Sequence, residues 1–319
     1  MKLEKVSLEY VINKLDEEQI KTEIENSQKT ILKFFNKYKD EQVLVAMENT
    51  GRYNWNLYEI LTKFNFKVYV LNPLHLSKSL GLVRGKDDKT DASRICLFIQ
   101  KNKEDLSVWK PSSKALKKLK ILITERNSRV KMKKRLLKQQ HDYNLMKDVG
   151  LDKELTKLSK QFIAQIEKQR MMIEQKIEAI INDDSELKQQ AKLIRSVPGV
   201  GKVLSWVMIA KTEGFTKITD PRKMACYSGV VPFEHQSGTS VYRKPRVSIF
   251  ADKSTKAVLH LGAMSAIRLN NDLKVYYQRK VNEGKNKMLV LNNVRNKIIH
   301  RIFAVIKNQE LYKNPLVLS

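Results

Sequence analysis

Apolar positions in residues 1–110 switch repeatedly between a strand period and a helix period. The stretch "VSLEYVI" reads as a strand, and "TEIENSQKTILKFFNKY" has helical apolar spacing. "QVLVAME" is a continuous apolar run of strand length that ends on an acid. "WNLYEILTKF" is helical again, "KVYVLNP" is a third strand closed by proline, and "DASRICLFIQK" is a short amphipathic helix. Strands alternating with helices predict an α/β unit with a largely parallel sheet covered by helices.

Pro111 then punctuates the chain, and Ser112 or Ser113 can cap the helix that follows. From there to about Ile181 Gly and Pro are almost absent. Leu151, Leu155, Leu158, Phe162, Ile166, Ile173, Ile177 and Ile180 form a stripe at spacings of three and four, which predicts a coiled-coil-like helix. The preceding stripe of Leu116, Leu119, Ile123, Val130 and Leu137 is interrupted by Arg126 and Lys133. Gly150 marks a turn between the two halves, so a helical hairpin is expected. A third region begins near Leu193, where "SVPGVGKVLSWVMIAKT" places a Pro-Gly-Val-Gly turn between two helical stretches. The predicted organisation is therefore α/β plus α: an α/β domain over 1–110, a helical region over 111–185, and a mainly helical domain over 186–319.

Composition narrows the class. Hydrophobic residues make up 42 % of the 319, enough for a packed core. Lys and Arg outnumber Asp and Glu by 61 to 34, a formal charge of +27 that points to a polyanion, nucleic acid above all. A soluble surface and a lysine-favouring codon bias account for part of that excess. Cys96 and Cys226 sit among apolar neighbours as free thiols would, which fits a reducing cytoplasm. No signal peptide and no run long enough to span a bilayer is legible.

Three motifs carry candidate chemistry. Glu48 ends the "VLVAME" strand, and Asp88 and Asp91 stand at i, i+3 at a helix start, on one face. Carboxylates at the carboxyl ends of strands suit Mg²⁺, and two such ions can clamp a phosphodiester. Arg84, Lys86, Lys89 and Arg94 around them would hold the phosphate backbone. An Asp pair at a helix start is equally an ordinary cap. The second motif is "SVPGVG". Its Gly-rich turn, with Gly199, Gly201 and Lys202, resembles a helix-hairpin-helix element, which binds phosphate through backbone N–H groups. In "HQSGTSVYRKPR", Ser237 precedes glycine and is followed by Arg243, Lys244 and Arg246. A loop serine beside guanidinium groups can attack a phosphodiester, with His235 the nearest base and Ser240 a competing nucleophile; a polar turn would look the same.

In combination, "AMENTGRYNWNLYEIL", "NPLHLSKSLGLVRGKDDKTDA" and "SVPGVG…FTKITDPRKMACYSGVVPFEHQSGTS" resemble the DEDD-type insertion-sequence transposases of the IS110 family, the bridge recombinases. The resemblance covers essentially the whole chain. It implies an N-terminal RuvC-like (RNase H-like) domain, a coiled-coil insertion and a C-terminal domain with a catalytic serine. It also implies a dimer to tetramer, and a structured non-coding RNA that pairs with DNA. By motif position Glu48, Asp88 and Asp91 match the family's metal-binding acids, and Ser237 its serine, which cuts and rejoins DNA through a covalent phosphoserine step alongside Mg²⁺.

One departure stands out. Family members open with a strand reading roughly G-I-D-V-S-K, whose aspartate is the first metal ligand. Here that position falls near Lys2, and no Asp precedes Asp16, so the first strand reads as missing or degraded. Two rivals therefore stay beside the RNA-guided recombinase: a nucleic-acid-binding remnant without catalysis, and a RuvC-like junction nuclease that uses metal alone.

Overall fold

The computed structural model describes residues 2–3, 7–12, 20–79, 88–237 and 241–314. They fall into two compact units, Met1–Pro111 and Ser112–Ser319.

Three antiparallel strands open the first unit in the order β1 (Lys2–Leu3), β2 (Ser7–Ile12), β3 (Ile20–Glu25). Lys2 pairs with Glu9 and Ser7 with Glu25. Helix α1 (Gln28–Phe35) follows, then β4 (Leu44–Glu48), α2 (Trp55–Leu61) and β5 (Lys67–Leu71). β4 and β5 are parallel, in register from Leu44 with Lys67 to Glu48 with Leu71. Two helices close the unit, α3 (Pro73–Ser79) and α4 (Asp88–Asn102). β1 runs beside β4, and α4 lies against β1, β2 and β4. β1–β3 and β4–β5 are separate sheets, and the small parallel pair with its covering helices is consistent with an RNase H-like domain.

The alternation of side chains along a strand explains why "QVLVAME" is apolar on both faces. Val45, Met47 and Val68 pack with Ile31, Phe35, Leu57 and Ile60 of α1 and α2. Ala46, Tyr69 and Leu71 pack on the opposite face with Leu76, Ile95 and Ile99 of α3 and α4. Two sequence expectations need correction. The strands do not form one largely parallel sheet: β4 and β5 are a parallel pair, and β1, β2 and β3 form a separate antiparallel sheet. The segment read as one helix from Thr22 is split. Ile20, Thr22 and Ile24 alternate with Lys21, Glu23 and Glu25, a strand period, and the Ser27 hydroxyl accepts from the Thr30 N–H at 3.3 Å to start α1. A two-residue strand, Lys2–Leu3, precedes β2.

Among its described residues the second unit is helical but for one hairpin. Helices α5 (Lys114–Tyr143) and α6 (Asp152–Asp183) are antiparallel, joined through the short 3₁₀ turn Asn144–Val149 and Gly150, whose φ of 76° suits glycine. Then come α7 (Ser185–Arg195), α8 (Lys202–Thr212) and α9 (Pro221–Tyr227). The hairpin strands β6 (Phe233–Ser237) and β7 (Val241–Arg246) precede α10 (Lys253–Ala266), α11 (Asp272–Asn282) and α12 (Lys287–Asn308). One core joins Leu119 and Ile123 of α5, Ile177 and Ile181 of α6, Trp206 and Met208 of α8, Leu259 of α10 and Ile298 of α12. The hairpin helices are thus rooted in the C-terminal core.

The apolar stripe of α6 is covered only in part. Ile166 and Ile177 are buried, whereas Leu158 and Phe162 are 56 % and 52 % exposed. The seam between α5 and α6 is instead a ladder of ion pairs in its middle. Arg126 Nε meets Glu174 at 2.6 Å, Lys133 meets Glu167 at 2.9 Å, and Arg170 contacts both acids at 2.7 and 2.6 Å. Arg126 and Lys133, the interruptions in the sequence stripe, are the α5 rungs of that ladder. Paired charges at such positions fix register more than they add stability.

Candidate functional site

Glu48 stands at the carboxyl end of β4, half-buried. The chain beyond it is held by Asn54, which is fully buried. The Asn54 amide donates to the Glu48 carbonyl at 2.9 Å, and its Oδ1 accepts from the Thr50 N–H at 3.0 Å and from the Thr50 hydroxyl. The Asn49 N–H donates to the Leu71 carbonyl at 2.9 Å and extends the ladder past the acid. Asn54 therefore fixes the backbone that presents Glu48. Sequence reasoning missed it; an Asn four residues after Thr50, behind Gly51, was the available signal.

Asp88 is the first residue of α4 and Asp91 lies one turn on. Asp91 accepts from Arg94 Nη1 at 2.9 Å, both side chains about one-fifth exposed at 21 % and 19 %. The side chains of Asp88 and Lys89 lie outside the described residues, as do Arg84 and Lys86 entirely. Among the described residues no group of three or more His, Cys, Asp or Glu is placed to hold a metal ion. What is described of the acids is Glu48 at a strand end and Asp91 on a helix lying against that strand, oxygen donors of the kind a hard cation takes.

Ser237 is the last residue of β6, opposite Val241 of β7. Ser240 and the side chains of His235, Ser237, Arg243 and Lys244 lie outside the described residues, and Arg246 is exposed. Both roots of this hairpin are pinned. The Asp252 N–H donates to the Tyr227 carbonyl at 2.8 Å. Lys211 Nζ meets Asp252 Oδ2 at 2.5 Å, and the Tyr227 hydroxyl donates to the same oxygen at 3.1 Å. Asp252 Oδ1 accepts from the N–H groups of Ser254 and Thr255 at 2.9 and 3.0 Å, capping α10. On the other leg, Asn292 of α12 donates to the Val230 carbonyl at 2.7 Å.

Burial alone would raise the Asp252 pKa, but Lys211, the Ser254 hydroxyl and the Thr255 N–H outweigh it and hold the carboxyl far below the usual range. A depressed carboxylate stabilises the fold above its unfolded pKa of about 3.9, and that contribution fades as pH falls towards the folded value. Asp252→Asn is therefore expected to cost roughly 1–3 kcal/mol at neutral pH through the lost cap and ion pair. Its melting temperature should fall less steeply below about pH 4 than that of the wild type, as followed by circular dichroism.

The Pro-Gly-Val-Gly turn joins α7 to α8. Gly199 has φ of 83° and presses on α10, where an added Cβ would strike the Gly262 carbonyl oxygen and stand 2.7 Å from Ala266 Cβ. Gly201 is the exposed N-cap of α8, and the Lys202 side chain is 67 % exposed. Beside the turn lies an open groove of about 470 Å³ lined by Pro198, Gly199, Gly201, Asn270 and Asn314 among others. Beneath it, Glu178 of α6 accepts from Trp206 Nε1 at 2.6 Å and pairs with Arg195, tying α6, α7 and α8 together.

Comparison with known proteins gives the family. Residues 9–145 match a DEDD-type IS110 transposase family described as "Transposase". Residues 191–278 match the family described as "Transposase IS116/IS110/IS902 family". The pilin gene-inverting protein of Moraxella bovis is 26 % identical over 279 residues, 85 % of this chain and 82 % of the relative. Its counterpart in Moraxella lacunata gives the same identity and coverage over 279 residues. An uncharacterized 43.6 kDa protein of insertion element IS110 from Streptomyces coelicolor is 24 % identical over 153 residues, 47 % of this chain and 36 % of the relative. The first match takes in β3, β4 with Glu48, β5 and α4, and the second takes in the glycine turn and the serine hairpin. The chain belongs to the IS110 family of transposases.

Proposed function

We propose that this transposase cuts and rejoins DNA through Ser237, with Glu48, Asp88 and Asp91 as its metal-binding acids and a structured RNA as its guide. The observation that carries the reading is the position of Ser237 at the end of β6, on a hairpin whose two roots are pinned to the C-terminal core. Such anchoring serves a nucleophile that must meet a phosphodiester in a fixed orientation. The serine oxygen would bond to phosphorus, one bridging P–O bond would break, and the serine proton would pass to the departing strand end as its hydroxyl. Reversal on a second strand end restores the serine and conserves the bond, so no external energy source is required. Arg243, Lys244 and Arg246 would offset charge on the phosphate.

DEDD-type transposase domains generally use divalent metal ions. Mg²⁺ held by Glu48, Asp88 and Asp91 would neutralise phosphate charge. Asn54 keeps Glu48 at the strand end for that purpose. Arg84, Lys86, Lys89 and the turn of Gly199, Gly201 and Lys202 would bind the backbone of DNA or of the bridge RNA. The exposed Leu158 and Phe162 on the α5–α6 hairpin suit contact with further copies of the chain, in a dimer to tetramer. The pilin gene-inverting relatives favour inversion as one outcome of the same chemistry.

By motif spacing the family's first aspartate falls near Lys2 in this chain, and that departure favours the second reading, a remnant that binds nucleic acid and no longer cuts it. The test is strand breakage of a plasmid carrying the element's ends, with the flanking RNA, in Mg²⁺ and in chelator. Breakage that requires Mg²⁺ and falls at least about 10²-fold in Asp91→Asn, with retained DNA retardation, is expected. Retardation without breakage in any divalent metal would establish the remnant.

A further inference from the structure

Arg295 of α12 is 6 % exposed, and among the described residues no carboxylate pairs with it. Its Nη1 donates to Asn292 Oδ1 at 3.1 Å and its Nη2 lies 2.7 Å from His260 Nδ1, while its Nε has no hydrogen-bond partner. A guanidinium has no acceptor, so His260 Nδ1 must accept, which leaves its proton on Nε2. His260 is kept neutral by burial and by the Arg295 charge. Lys256 stands one turn before His260 on α10, on the same face, and feels the same repulsion. Both are half-buried at the surface above the buried guanidinium.

A buried cation without a counter-ion is costly, and proteins ordinarily pair it. Here the Arg295 guanidinium, with its Nε unpartnered, lies against His260, and Lys256 stands one turn before His260 on α10. The cluster also adjoins the hairpin. Asn292, which orients Arg295, holds the Val230 carbonyl, and a Cβ on Gly229 would lie 3.9 Å from Lys256 Cδ. Val230 is seven residues before Ser237, roughly 23 Å of extended chain at most. We infer that Lys256, His260 and Arg295 form a receptor for a phosphate group of the DNA backbone, a few nucleotides from the bond offered to Ser237. Among the described residues the charge is left unpaired, as it would be where the partner is the ligand. The role in DNA handling rests on the recombinase reading above; the phosphate chemistry does not.

The test uses the full chain and two uncharged variants, Arg295→Met and Lys256→Met. In wild type, inorganic phosphate should raise the melting temperature and shift the imidazole NMR signals of His260, which faces Arg295 from α12 and Lys256 from its own helix. Both responses should be lost in Arg295→Met and weakened in Lys256→Met. If Arg295→Met does not fold, Lys256→Met carries the comparison. With a short DNA duplex, each variant should lower the slope of log affinity against log salt by about 0.9, the signature of one phosphate contact. Equal phosphate responses in wild type and variants overturn the receptor. A lost phosphate response with an unchanged DNA salt slope overturns the backbone assignment and leaves a site for free phosphate. No strand is cut in either measurement, so a failure of the serine chemistry would leave both results intact.

Discussion

Alanine in place of Ser237 should reduce strand breakage and joining by at least about 10³-fold, because no other group can take over a bond made by the nucleophile itself. The affinity for DNA should stay within about twofold. Ser237 closes the β6 strand, and the contacts that fix its hairpin are Lys211–Asp252, Tyr227–Asp252 and Asn292 with the Val230 carbonyl, none of which involves the serine. Folding should therefore be unchanged, with the same melting temperature. A metal-only nuclease would keep cutting in this variant, and a binding remnant would show no activity to lose. Rates of plasmid relaxation and gel retardation, measured on the same preparations, separate these outcomes.

Valine in place of Gly199 should damage the second unit more than any surface change. Its φ of 83° lies in the left-handed region, which disfavours a β-branched residue by about 1–2 kcal/mol. The new Cβ would also meet backbone rather than a yielding side chain, since the Gly262 carbonyl and Ala266 lie in its path. Gly262 has no room to retreat, because a Cβ there would stand 2.9 Å from Leu204 Cδ2. Overpacking against such neighbours adds about 1–3 kcal/mol. The total, roughly 2–5 kcal/mol, should lower the melting temperature of a unit of this size by about 10 °C. Gly201→Ala has open space around it and should do little to stability, so that pair of variants separates packing at the turn from phosphate contact.

The local parts of this architecture were readable from sequence, and the parts built by distant pairs were not. The turn at Gly150, the strand ending on Glu48 and the glycine turn before Lys202 each carry their signal in a few adjacent residues. The strand Ile20–Glu25 was misread because Ser27 and the helical apolar spacing beyond it drew the helix backwards over an alternating segment. The ion ladder of the hairpin joins Arg126 to Glu174, 48 residues apart, so on α5 alone Arg126 could only look like an interruption. The same holds for the site. Glu48 and Asp91 are marked by their place at element ends, but the clamp from Lys211 to Asp252 and the cluster of Arg295 with His260 exist only once α8, α10 and α12 have packed. Asn54 lies between these cases: it is near Glu48 in sequence, yet its role depends on burial that no local pattern announces.

The most direct measurement is covalent trapping. Full-length protein, Mg²⁺, the element's flanking RNA and end-labelled DNA are mixed, denatured, resolved on a gel and digested for mass spectrometry. The account predicts a labelled protein–DNA adduct whose nucleotide remains on the peptide containing Ser237 and which is absent from Ser237→Ala. Cut DNA ends free of protein, or a nucleotide carried by Ser240, would contradict it.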